Sequence, residues 1–296
     1  MADKALTQPS AGPAARNVDG YALFWGLPLA VWQVVFFVAP LVFLVVMTFW
    51  KVSNFRLAPD FDTVNWVNMF SKGYVIDTYF RTLWYGALGA VVCSVLAFPA
   101  SYALAFKASP VVQRIALFML ITPFFTSYLV RIYSWQAVIS DNGVLNSIFG
   151  YFGLGPFNIL GTLLGTMIGY ITLTLPLVIL LQFFSLSGVD RTYIEAAQNL
   201  GSGRLRTVFL VIVPLAKTGI IIAATFAFIL CFGDLVSPTS MGSSKPPTLS
   251  ILIVDTVKQG NNWPRAAVVA VMMVLTLIAV AFTAIYFAYR VKKEKT

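Results

Sequence analysis

The sequence predicts an all-α integral membrane protein of about six spanning helices, and three observations predict it. Of 296 residues, 59% are hydrophobic and only 10% are charged, whereas a water-soluble domain carries roughly a quarter charged residues. The mean hydropathy is +0.83. The apolar residues also fall in long runs, and about 20 of them in a helix cross a hydrocarbon core of roughly 30 Å. The segments between the runs are too short to fold separately, so one membrane domain is expected over 21–290.

Residues 1–20 are small and polar, with Lys4 and Arg16, and read as a disordered cytoplasmic tail; 291–296 read as a second tail. The first apolar run, Tyr21 to Trp50, is about twice the roughly 7–15 residues of a signal-peptide core and reads as an uncleaved first span. Further spans are expected at 78–106, 114–138, 159–187, 207–236 and 264–289. Thr122, Pro123, Thr126, Ser127 and Arg131 interrupt the third. The fourth carries Gly161, Gly165 and Gly169 at four-residue spacing, a flat face that another backbone can approach closely. Trp25, Trp50, Trp66, Trp84, Trp135 and Trp263 lie near span ends, where amphipathic rings sit at the membrane interface. Pro99, Pro123 and Pro176 are expected to make local kinks.

A net charge of +9 invites a nucleic-acid partner, but the basic residues are scattered between spans rather than gathered on a face. They serve orientation instead. With both termini in the cytoplasm, twelve Lys and Arg fall inside and eight outside, with the bias strongest in the short segments. The chain has no His, which excludes a histidine-based metal site or proton relay, and no metal site is assigned. Cys93 and Cys231 lie inside apolar spans and read as packing residues rather than a disulfide. No nucleophile–base pair stands out, so no catalytic residue is assigned. A Gly-rich phosphate loop with Lys and Ser/Thr is also missing, so ATP chemistry would have to come from another chain.

The informative segment is the cytoplasmic loop at 188–214, between spans four and five. It reads Asp190-Arg-Thr-Tyr-Ile-Glu195-Ala196-Ala197-Gln-Asn-Leu-Gly201, continuing to Val211-Ile-Val213-Pro214. Thr192 and Glu195 have capping-box spacing, with Asp190 an alternative cap. Ile194, Ala197 and Leu200 fall on one helical face. Gly201 and Gly203 permit a sharp turn or left-handed backbone. The loop therefore predicts a short, partly apolar docking helix at the membrane surface.

The pattern Glu195-Ala196-Ala197, three residues, Gly201, nine residues, Val211-x-Val213-Pro214 resembles the signature loop of bacterial ABC importer permeases. That family usually has Ile and Leu before the proline, where this chain has Val. The resemblance implies a type I importer permease fold in the bacterial inner membrane, with a coupling helix that sits in a groove of an ATPase. It also implies the partners: two ATPase subunits carrying ATP and Mg, a periplasmic solute-binding protein, and a second related permease as heterodimer partner. This chain would hold no cofactor itself. A narrower resemblance is to spermidine/putrescine-type permeases. It rests on Pro123-Phe-Phe-Thr-Ser-Tyr-Leu-Val-Arg131-Ile-Tyr133-Ser-Trp135, Asn142-Gly143-Val-Leu-Asn146, Gly233-Asp234 and Asn262-Trp263-Pro264. That group implies a polyamine or related amine as solute.

Ionisable groups inside spans are candidates for a solute path because they are expensive there unless paired or wet. Asp234, Tyr133, Trp135, Arg131 and Asp141 form the candidate set, since an acid beside aromatic rings suits an organic cation. The alternative is an Arg131–Asp234 or Arg131–Asp141 ion pair that fixes helix register. Two other classes were weighed. An ion-gradient transporter would show internal repeats or broken helices with ionisable residues at the midplane; no repeat is evident, and the charges lie near the interfaces. A membrane-embedded enzyme would need a catalytic constellation that is missing.

Overall fold

The computed structural model describes residues 20–53, 56–242 and 246–289. The predicted tails, apart from Gly20, lie outside these residues, as do Lys4, Arg16, Lys245, Arg290 and the C-terminal lysines used for orientation. The chain divides into two units, 1–47 and 48–296. In the first, α1 (Gly20–Gln33) and α2 (Ala39–Met47) are joined by a π turn, Val34–Val38. Together they give an apolar span, Trp25–Met47, of 23 residues, about 35 Å long at helical rise.

The second unit opens with an antiparallel hairpin, β1 (Lys51–Ser53) and β2 (Arg56–Ala58), followed by α3 (Val64–Phe70). Side chains hold this segment together. Asn65 Nδ2 donates to the Thr48 and Trp50 carbonyls at 2.9 and 2.8 Å, and Trp66 Nε1 donates to Thr48 Oγ1 at 3.1 Å. Lys51 Nζ lies 2.8 Å from Asp62 and 2.9 Å from Asp60. Hydrogen bonds to the two acids hold the ammonium above its ordinary range, and the same bonds hold both carboxyls below theirs.

Then come α4 (Gly73–Phe106), α5 (Pro110–Ile121), a 3-10 turn at Thr122–Phe125, α6 (Tyr128–Ile139), α7 (Val144–Tyr151), α8 (Leu163–Ser187) and α9 (Arg191–Asn199). After α9 follow α10 (Arg204–Thr207), a π turn at Val208–Ile212, α11 (Val213–Leu215), α12 (Lys217–Gly233), α13 (Val236–Ser240), α14 (Leu249–Lys258) and α15 (Trp263–Tyr289). Among the described residues four helices are long and apolar enough to span, and the number rises to six where each of two bent pairs is counted as one span.

The bends correct the sequence reading, which gave spans three and five as single helices. Pro110–Phe125 meets Tyr128–Tyr151 at 96°. Thr126 and Ser127 are extended between them, and Pro123 supplies no backbone donor to carry the helix on. Arg204–Leu215 meets Lys217–Gly233 at 78°, with Ala216 at φ −89°, ψ 3°. There Ser185 Oγ donates to the Ala216 carbonyl at 3.0 Å. A Cβ on Gly219 would collide with the Ser185 side chain, so α12 crosses α8 at backbone contact.

The core lies where α4, α8, α12 and α15 meet. Ala90, Cys93 and Ala97 of α4 face Ala223 and Ala227 of α12. A Cβ on Gly89 would come within 2.9 Å of the Tyr170 ring and 3.0 Å of Cys231 Sγ. Lipid gives helices little apolar reason to associate, so such close approach through small residues supplies the packing energy. Cys93 and Cys231 are free and buried, and Thr174 Oγ1 donates to Cys93 Sγ. The glycine stripe packs as expected, but against α13 rather than another span. Cβ atoms on Gly165 and Gly169 would strike the Met241 carbonyl and the Ser237 side chain. Gly161 precedes α8 at φ +79° and donates its N–H to the Met241 carbonyl at 2.8 Å.

Candidate functional site

Two places carry the candidate residues: the α9 end of the molecule, and the region around the α5–α6 bend. At the first, Asp190 is the N-cap of α9. Its Oδ1 accepts from the Thr192 N–H at 2.9 Å and the Thr192 hydroxyl at 2.8 Å, and these bonds hold the carboxyl below its ordinary range. The cap is thus the alternative choice. Thr192 and Glu195 form no capping box, because the threonine hydroxyl is spent on Asp190. The C-terminal end closes by a Schellman turn: Ser202 N–H donates to Ala197 C=O at 3.0 Å and Gly201 N–H to Gln198 C=O at 2.9 Å. Gly201 takes φ +79°, a left-handed conformation that glycine adopts without steric cost. Gly203, at φ −67°, needs no such freedom.

Ile194 faces inward onto a cluster made by Ala105 of α4, Phe183 and Leu186 of α8, and Val208, Ile212 and Ala216 beyond. Ala197 is half-buried, whereas Leu200 is 89% exposed and so does not continue that stripe. Glu195 and Ala196 are exposed. Glu195 lines a cleft of about 230 Å³ with Tyr102, Phe106, Lys107, Arg191 and Gln198, and Lys107 Nζ lies 5.6 Å from the Tyr102 ring centre. Pro214 sits in α11, between the π turn and the Ala216 bend. Glu195, Ala196 and Ala197 therefore lie on one capped surface helix that the turn at Gly201 closes, while Pro214 belongs to the bend that follows it.

The second set is brought together only in part. Asp234 is 9% exposed and caps α13: its oxygens accept from Val236 N (2.9 Å), Ser237 N (3.1 Å) and the Tyr128 hydroxyl (2.8 Å). Tyr128 also bonds to Ser237 Oγ, and its ring lies 5.8 Å from the Arg131 guanidinium. Tyr128 thus links Asp234 to Arg131. Neither of the alternative ion pairs, Arg131–Asp234 or Arg131–Asp141, forms, and Arg131 has a different partner. Its Nη1 donates to the Thr172 carbonyl at 3.0 Å. Thr172 stands four residues before Pro176, which has no N–H to close that helical bond. Arg131 fills the acceptor that the proline left open. Arg131 and Trp135 line a largely apolar groove of about 570 Å³ along α5 and α6 with Thr126, Ser127 and Ser134. Asp141 lies apart, in a cavity of about 360 Å³ with Asn142, Asn146 and Ser147. Tyr133 is exposed and lines neither.

The narrower motifs prove to be helix-end and turn devices. Asn146 exchanges hydrogen bonds with both backbone groups of Phe157 and donates to the Ser140 carbonyl. Gly143 has no room for a Cβ against the carbonyls of Ala137 and Val138. Asn262 Oδ1 accepts from Arg265 N at 3.1 Å at the start of α15.

No family model matches the sequence. The spermidine/putrescine transport system permease protein PotB of Haemophilus influenzae is 26% identical over 232 residues, covering 78% of this chain and 80% of that protein. The inner membrane ABC transporter permease protein YdcU of Escherichia coli is 26% identical over 98% of this chain and 97% of its own. Among solved structures, a bacterial alginate ABC transporter in complex with its alginate-bound periplasmic protein superposes with a TM-score of 0.74. The sequence identity there is 14%, over 95% of this chain and 97% of that one. The chain is thus similar in sequence to these transport-system permeases and shares the fold of the alginate transporter's chain. Its several apolar helices and its likeness to these permeases make the chain a multi-pass inner-membrane protein, and both relatives are named as transport permeases.

Proposed function

We propose that this permease is the membrane-spanning subunit of an ATP-driven importer that moves a small organic amine, a polyamine first, into the cytoplasm. One observation carries the proposal: a nine-residue helix, α9, is closed at both ends, seated by Ile194 on a packed platform, and turns Glu195 and Ala196 outward. A helix this short is marginal alone, so its caps and seat mark a surface held in shape for a partner. The partner is an ATPase subunit, which binds ATP and Mg and presses on α9 as it closes. Two such subunits act on this chain and a second, related permease, with solute handed over by an external binding protein. Both termini and α9 then lie in the cytoplasm, as the basic residues suggest. Support comes from PotB, whose name includes spermidine and putrescine, and from the alginate transporter, seen with a periplasmic protein. The two broken spans also occur in gradient-driven carriers, but the relatives do not favour that alternative.

Glu195→Ala tests the coupling role in membrane vesicles: ATPase docking weakens and ATP-driven uptake is lost while the protein stays inserted. Normal ATP-dependent uptake in the variant overturns it, and uptake driven by an ion gradient alone returns the gradient mechanism. For the solute, unlabelled spermidine or putrescine should compete with labelled uptake and stimulate the complex's ATPase with its binding protein. No stimulation by any polyamine refutes that choice.

A further inference from the structure

Two cavities on the face away from α9 share one pair of helices. The first, about 370 Å³, is polar and lies where α4 and α15 begin. Lys72, Tyr74, Asp255, Gln259, Asn262 and Arg265 line it. No ion pair joins Asp255 to either cation among the described residues, and the buried Arg265 Nε has no hydrogen-bond partner. Two cations and one acid leave the chamber with one positive charge. The start of α4 has no side-chain cap; Val75 N–H bonds the Lys72 carbonyl, and the positive end of the helix at Gly73 and Tyr74 adds to the attraction for an anion. The second cavity, about 450 Å³, is apolar and lies farther along the same helices, between Ile76 and Phe80 of α4 and Met272 and Leu275 of α15. Met272 is two turns beyond Arg265, about 10 Å deeper at helical rise. The Tyr79 and Thr276 hydroxyls meet at 2.9 Å across this groove.

We infer that the α4–α15 groove holds one anionic phospholipid, its phosphate in the Lys72–Arg265 chamber and an acyl chain along Ile76, Phe80 and Leu275. An acidic side chain from an external protein would use the chamber and leave the groove empty. A spanning helix of another subunit would fill the groove and leave the cations unanswered. An anionic amphiphile answers both at once, its headgroup meeting the two cations and its chain filling the apolar groove.

The test uses the complete transporter, purified and stripped of lipid, with phosphatidylglycerol or phosphatidylethanolamine of matched chains added and retained lipid counted by native mass spectrometry. The net positive charge predicts about fivefold tighter retention of phosphatidylglycerol. Lys72→Gln with Arg265→Gln should erase that preference, and Leu275→Trp should weaken retention of both lipids. Equal retention by the unaltered protein overturns the inference without need of any variant. So does a preference that survives loss of both cations, or glycerophosphate binding as tightly as the full lipid. A Leu275→Cys side chain that cross-links to the second permease, instead of reacting with a lipid-soluble maleimide, overturns it in favour of a helix.

Discussion

The Arg131–Thr172–Pro176 arrangement makes a prediction that a double-mutant cycle can read directly. Arg131→Met keeps much of the side-chain stem but removes a 3.0 Å charged hydrogen bond. The Thr172 carbonyl is then left unsatisfied in apolar surroundings, at a cost of about 2 kcal/mol. Its own side chain gives no help, because Thr172 Oγ1 is already spent on the Ile168 carbonyl at 2.8 Å. Pro176→Ala supplies an N–H at the position that normally bonds Thr172, so the carbonyl no longer needs Arg131. In that background Arg131→Met should cost roughly 1 kcal/mol less, a coupling within the range for contacting residues. Pro176→Ala alone should not destabilise, since an interior proline costs a helix about 3 kcal/mol relative to alanine. Unfolding of the four proteins in mixed micelles measures the cycle. Equal costs of Arg131→Met in both backgrounds, within about 0.5 kcal/mol, would refute the account of why this arginine is here.

Two further predictions concern the ends of the molecule. Gly201→Ala should cost about 1 kcal/mol and speed exchange of the amides at 201 and 202 about fivefold, because the loss is purely conformational; no atom lies within 4 Å of a Cβ there. Gly203→Ala, two residues on and at negative φ, should be neutral or slightly stabilising. Around Lys51, the carboxyls of Asp60 and Asp62 are held below their ordinary 3.8. Their contribution to hairpin order is therefore complete above that value and fades as pH falls through the lowered ones, while the raised Lys51 ammonium loses its share only in strong alkali. Hydrogen exchange of the hairpin amides should show protection falling as the pH drops below the ordinary carboxyl value of 3.8 and weakening in about 1 M salt.

Much of this was legible because lipid imposes simple rules. Span number followed from apolar run length, and α9 from residues whose roles are local: Asp190 as cap, Ile194 as seat, Gly201 as turn. What the sequence concealed depended on pairing across the chain. Apolar run length does not register a bend, so Ala216 passed unnoticed, and the Thr126–Ser127 break showed only as a polar interruption. Arg131 and Asp234 looked like partners because both were charged, whereas one was drawn to a carbonyl freed by Pro176 and the other to the amides of α13. The available signal was Pro176 itself, once the orphan acceptor four residues earlier was counted. Tyr128, which joins the two, lay inside a quoted motif but was not among the selected residues.

The tie between Ser185 and the Ala216 carbonyl bears on how a push on α9 would travel. α9 hangs between the last turn of α8 and the bent lead-in to α12, and the two are pinned to each other just above it. A crank with two arms joined at the shaft cannot turn one arm alone. A load applied to α9 would therefore reach both spans through the same contact, at the foot of the 78° elbow.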